Sequence, residues 1–124
     1  MAEHLMLVFS NAKPELEDEF NDWYNTVHVV DLVDKIDGIV AGQRFQIAGT
    51  YRDAAADYKY LAMYWIPEGQ LEAAQAGLRW QRADREEALA AGRAPAVPKF
   101  EEGFDGDVSA LFFTSITEKY TGSA

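Results

Sequence analysis

Cysteine is absent from this 124-residue chain. That excludes disulfides, a thiolate nucleophile and any cysteine-ligated metal centre. Positive charge is scarce. Eleven Lys and Arg stand against 21 Asp and Glu, a formal net charge of −10. Nucleic acids and anionic membrane surfaces need a basic footprint, so neither is expected as a partner. No apolar run approaches the roughly 20 residues that span a bilayer. The first residues lack the basic region and small-residue cleavage site of a secretory signal, and the expectation is a cytoplasmic protein. There is no phosphate-cradling glycine loop, and Ser10, Ser109 and Ser115 sit in no nucleophile motif. Histidine occurs only at His4 and His28. His28 and Asp31 offer two ligands at helical spacing with no second histidine nearby, so no metal site is expected.

What the chain does contain is apolar mass: 48% hydrophobic and 13% aromatic residues. That suffices for one domain over residues 1–124 with a two-layer core. His4 to Ser10 reads as a strand that is apolar on both faces. A helix should open at Pro14, whose missing N–H suits a first helical position, and run to between His28 and Asp37. Ile39 to Ala48 is a second strand, with Gly42 marking a bulge or a close backbone approach. Tyr58 to Ile66 is a third, aromatic on both faces. A second helical region runs from Pro67 to about Ala91, with Leu71, Ala74 and Leu78 as a modest apolar face. A long loop from Gly92 to Gly106 precedes a last strand, Asp107 to Thr117. The order strand, helix, strand, strand, helix, strand is the α+β, ferredoxin-like βαββαβ pattern: one four-stranded antiparallel sheet with both helices on one face. The other apolar face then needs a cover, and two sheets packed face to face supply it, so a homodimer is expected.

The first helix carries the candidate site. Leu16, Phe20, Trp23, Val27 and Val30 repeat at spacings of four, three, four and three, an apolar stripe for the sheet. Glu17, Asn21, Tyr24, His28 and Asp31 follow the same spacing one residue on, about 100° further round the helix. An amide, a phenol, an imidazole and a carboxylate therefore border the core. Imidazole takes and returns protons near neutral pH, which makes His28 the first catalytic candidate; the plainer alternative is a helix-end histidine bonded locally. Tyr24, one turn earlier, could polarise a carbonyl or orient the ring, or simply bridge core and solvent. Asp31 could fix the imidazole tautomer or be a solvated carboxylate. Asn21 could bond a substrate. Arg44 could hold a carboxylate or enolate if it faces the helices, or form a rim ion pair if it faces away. Tyr60, Tyr64, Trp65 and Trp80 could wall an aromatic-sized pocket, or serve as core and interface.

The segment from Asn21 to His28, FNDWYNTVH with its leading Phe20, followed by Asp31, Gly38 and AGQRF, resembles the dimeric α/β-barrel superfamily, and within it the EthD-like branch. The shared features are the aromatic pair Trp23-Tyr24, His28 a turn later, the turn at Gly38 and Arg44 on the second strand. The resemblance implies a small-molecule pocket between sheet and helices and the joining of two sheets into a barrel. It also implies a range of chemistries, among them cofactor-free isomerases, cyclases and small monooxygenases, so the fold leaves the reaction open. The expectation is a small cofactor-independent isomerase, cyclase or lyase that acts by His28 acid–base catalysis on an apolar or aromatic carbonyl compound. The alternatives are a non-catalytic dimeric binding or stress-related protein, and a haem-binding monooxygenase.

Overall fold

In the computed structural model, which describes residues 2–123, the strands are β1 (His4–Ser10), β2 (Ala41–Gln46), β3 (Tyr60–Ile66) and β4 (Ser109–Thr114). They form one antiparallel sheet in the order β2-β3-β1-β4. This is the expected ferredoxin-like topology, with β1 and β3 central and both faces of each carrying side chains that must be placed. β2 and β4 are edge strands paired on one side only, and both are shorter than the sequence pattern suggested. Apolar composition extends beyond the residues that find a ladder partner.

Strand alternation sends Met6, Val8 and Ser10 of β1 and Tyr60, Ala62, Tyr64 and Ile66 of β3 to the helical side. Their register partners share that face: Met6 lies opposite Tyr64 and Phe112, and Ala62 opposite Arg44. Arg44 therefore faces the helices. Gly42 stands opposite Tyr64 in an unbroken ladder, so it marks a close approach and not a bulge. A Cβ there would lie 2.9 Å from the Tyr64 ring and 3.0 Å from Val29 Cγ1.

The first helical region departs from the expected single helix. A 3-10 turn, Pro14–Leu16, leads into α1 (Glu17–Trp23), then a π-helical turn, Tyr24–His28, then α2 (Val29–Lys35). A π turn holds one more residue than an α turn and resets the helical phase. The buried positions are Phe20, Tyr24, Leu32 and Ile36, at multiples of four, whereas Val27 and Val30 are 37% and 46% exposed. The expected stripe through Val27 and Val30 is thus corrected: the extra residue turns them to solvent and brings Tyr24 and His28 inward.

Gly38, at φ +92°, ends this region where a Cβ would fall 2.8 Å from the Gln70 carbonyl. Only glycine takes that backbone without strain. It lets α3 (Leu71–Ala91) pack with Ala74 fully buried. The loop after α3 is anchored, not free. Val97 is fully buried, the Lys13 amide donates to the Gly103 carbonyl, and the Asp105 amide donates to the Asn11 carbonyl. The loop so carries Lys99 and Phe104 to the mouth between α3 and the sheet.

The opposite sheet face presents Leu7, Phe9, Met63, Trp65, Leu111 and Phe113, and no helix covers it among the described residues. Leu111 and Phe113 are 46% and 48% exposed. No helix among the described residues is long and apolar enough to cross a membrane.

Candidate active site

The π turn decides which side chains meet. Tyr24 is 2% exposed and packs edge-on against Phe20 and His28, with ring centroids 5.5 and 5.1 Å apart. His28 also stacks on Trp23 at 4.8 Å and 25°. Its Nδ1 is buried without a hydrogen-bond partner. That leaves Nε2 as the ring nitrogen available to a ligand in the cleft that His28 helps to line.

This cleft has a volume of about 500 Å³ and lies between α3 and the sheet. Its apolar floor is Met6, Val8, Leu78, Phe104 and Phe112, with the Tyr24 ring and His28 at one end. A hollow of similar size lies elsewhere, over Glu3, His4 and the β2 and β3 residues up to Pro67. It contains neither Tyr24 nor His28, so the candidate site is the first cleft. The size and lining suit a small, largely apolar molecule.

Burial is the main force on the imidazole, and the positive charges of Arg85, Lys99 and Arg44 add to it. Together they lower its pKa from 6.5 to about 4. His28 is therefore neutral at pH 7, the form that accepts a proton. Burial raises the pKa of Tyr24, opposed in part by Arg44, and also raises that of Tyr64. Both phenols stay protonated and able to donate. The Tyr64 hydroxyl is fully buried, couples electrostatically to Tyr24, and closes no hydrogen bond in its own geometry.

A stability consequence follows from His28. Between pH 6.5 and about 4 the unfolded chain binds a proton at this residue that the folded chain refuses. Stability is thus full above 6.5 and falls with acid, by up to about 1.4 kcal/mol per pH unit. Glu17 and Asp84 have lowered pKa values, so their contributions are lost only below their ordinary values of 4.5 and 3.8. Urea unfolding at pH 5 and pH 7 should show a loss on the order of 2 kcal/mol at pH 5 in the parent. His28→Asn should flatten that difference; an equal loss in the variant would mean that His28 is not the titrating group.

The other candidates from the sequence divide into separate places. Arg44 does not line the cleft but packs against the Tyr24 ring, its guanidinium 4.2 Å from that ring and 4.9 Å from the Tyr60 ring. Nη1 donates to Asn21 Oδ1 at 2.8 Å and to Asn25 Oδ1 at 3.0 Å, while Nε and Nη2 are buried and unpartnered. Asn21 donates to the Tyr60 hydroxyl (3.0 Å), which donates to Glu17 (2.6 Å), which pairs with Lys59 (2.7 Å). Asn21, Arg44 and Tyr60 thus form one polar network beside a smaller hollow. Arg44 bears on the cleft through its contact with the Tyr24 ring and through its charge, which acts on His28.

Three expectations meet a different arrangement. Asp31 pairs with Lys35 at 3.3 Å, the i,i+4 neighbour on α2, in place of an imidazole contact. Trp65 sits on the uncovered sheet face, since it alternates with the inward Tyr64. Trp80 is half exposed on α3 and does not line the cleft. The groups missed by the sequence reading are Arg79, Arg82 and Arg85 on one face of α3, with Lys99 from the loop. Their signal was present in the sequence: three arginines at intervals of three, on a helix with a thin apolar face.

No family model matches the sequence, and no curated protein matches it. Solved structures do. A protein of unknown function from Nitrosomonas europaea superposes with a TM-score of 0.57 at 15% identity, covering 99% of this chain and 98% of that one. An EthD-like protein from Ralstonia eutropha gives 0.53 at 11% identity, over 94% and 95%. An EthD family protein from Bacillus halodurans gives 0.52 at 16% identity, over 91% and 97%. Alignment over nearly the whole of each chain, together with the sheet order and helix placement, shows that this chain shares the ferredoxin-like fold of these EthD-like structures.

Proposed function

We propose that this protein is a small enzyme that moves a proton on an apolar or aromatic carbonyl compound. The observation that carries the reading is a neutral imidazole, His28, beside a protonated phenol, Tyr24, at the end of an apolar cleft. In the reaction, His28 Nε2 takes a proton from the carbon next to the carbonyl. Tyr24 donates a hydrogen bond to the carbonyl oxygen, where the negative charge develops. The resulting enolate either regains the proton at another carbon, attacks a second carbonyl or expels a leaving group. These are the isomerase, cyclase and lyase outcomes. Each begins with that proton abstraction, and the imidazolium then returns its proton to the new carbon, to the oxygen of the attacked carbonyl or to the leaving group, with no cofactor needed. Arg44 acts as a positioning residue that holds the Tyr24 ring.

The test is hydrogen exchange. Aromatic ketones and lactones are incubated with the protein in D2O, and deuterium at the carbon next to the carbonyl is followed by NMR. Exchange above the buffer rate for at least one compound is expected. Binding without exchange across the set would favour a non-catalytic binding protein instead.

The working unit we propose is a homodimer joined through the uncovered sheet face. Its exposed Leu111 and Phe113 are the apolar surface that a second sheet would cover. Sedimentation should give the mass of two chains. Replacing both residues (Leu111→Glu with Phe113→Glu) should give one chain with an unchanged far-UV spectrum. A parent that sediments as a single chain would refute the assembly.

A further inference from the structure

Four of the eleven basic residues line the cleft, and no carboxylate among the described residues does. In a chain of net charge −10 that concentration needs a reason. Surface arginines in an acidic protein ordinarily find acidic partners. Here Arg79 and Arg82 form no ion pair among the described residues, although Glu86 stands four residues beyond Arg82 on the same helix. Arg85 is held by neutral acceptors, Gln81 Oε1 at 2.7 Å and the Val97 carbonyl at 3.2 Å, so its charge stays uncompensated. Lys99 has only a long 3.8 Å approach to Glu101, and its ammonium lies 4.9 Å from the Phe104 ring.

Like charges three apart on one helical face repel each other and cost stability. An anion in the cleft would remove that repulsion. His28 lines the same cleft, and with Nδ1 buried its Nε2 is the ring nitrogen left to a ligand. The cleft therefore combines an apolar floor, an uncharged proton acceptor at one end and a row of unpaired cations along one wall.

We infer that the ligand of this cleft is an organic anion: an apolar ring system carrying a carboxylate, its ring on Met6, Val8 and Phe112 and its carboxylate held by Arg79, Arg82 and Arg85. The inference rests on the proposed site at His28 and narrows its substrate class. Guanidinium groups suit this task because their planar fork meets both carboxylate oxygens. Lys99, across the mouth, adds charge without that geometry. The same anion would offset the cations that bear on His28, making the imidazole a stronger base once substrate is present.

The probes are 2-naphthoate and its neutral methyl ester, titrated into the protein with tryptophan fluorescence as the readout. The parent should bind the acid at least tenfold more tightly than the ester, and added salt should weaken only the acid. Arg79→Gln with Arg82→Gln should lower affinity for the acid about tenfold and leave the ester unchanged. Equal affinity for acid and ester, binding of neither, or an unaltered double variant would overturn the inference. His28→Ala is run beside them and should keep the preference for the acid. A failed catalytic assignment then shows as selective acid binding without exchange. A failed anion assignment shows as exchange without selectivity.

Discussion

His28→Ala should lower catalysed deuterium exchange by two to four orders of magnitude, the usual contribution of a positioned acid or base, and leave the fold in place. The ring is partly exposed at the cleft, its Nδ1 makes no hydrogen bond, and its main contacts are the Trp23 and Tyr24 rings. Removing it therefore breaks no hydrogen bond, and the cleft widens where it is already open. The loss should appear in kcat, because the proton acceptor works only in the transition state. The pH profile separates this role from a structural one. With the pKa lowered to about 4, the basic form persists throughout the mildly acid range. The kcat/KM of the parent should stay level from pH 8 down to about 5 and decline only as pH approaches 4. A break near 6.5 would mean that His28 is solvated like a free imidazole. Exchange that survives His28→Ala would assign the base to another group.

How far this site could be read from the sequence depends on what each pattern encodes. Strand alternation is local and located β1 and β3, and the order of the elements along the chain gave the four-stranded antiparallel pattern. Alternation does not say which of two alternating sets faces the helices, so Arg44 was legible as a candidate but its direction was not, and Trp65 was grouped with Tyr64 although neighbours on a strand point apart. The helical stripe was read with a constant period. A π turn adds its residue with no Gly or Pro to mark it, so the phase slipped at Tyr24 and the valines after it were assigned to the core. His28 and Tyr24 came through because they lie within the turn itself. The arginines of α3 carry a signal that depends on their partners. An arginine with an acid beside it and one without look alike in sequence; only the missing ion pairs, and the sheet beneath, distinguish a solvated face from a cleft wall.

Phe20→Ala should cost about 3–5 kcal/mol, the range for deleting a large buried aromatic. Such a loss is a large share of the 5–15 kcal/mol that holds a domain of this kind. Phe20 is completely buried, and its ring meets Phe104 edge-on at 4.9 Å, Tyr24 at 5.5 Å, Tyr60 at 6.0 Å and Trp23 at 6.3 Å. Four aromatic rings would each lose a contact. Gly103 tightens the arrangement, since a Cβ there would stand 3.0 Å from the Phe20 ring and 2.8 Å from that of Phe100. Phe20→Leu fills much of the space and should cost roughly half as much, because it loses the edge-on ring contacts but little volume. Urea unfolding of both variants checks the order. The same cluster underlies the site: Phe20 lies beneath Tyr24, and the Arg44 guanidinium lies 5.4 Å from its ring. In the leucine variant, which should remain folded, Tyr24 loses its edge-on support and exchange should slow more than the stability loss alone would produce, with the His28 pKa little changed. If exchange in that variant matches the parent, Tyr24 is held by Arg44 and the sheet, and the aromatic cluster serves stability alone.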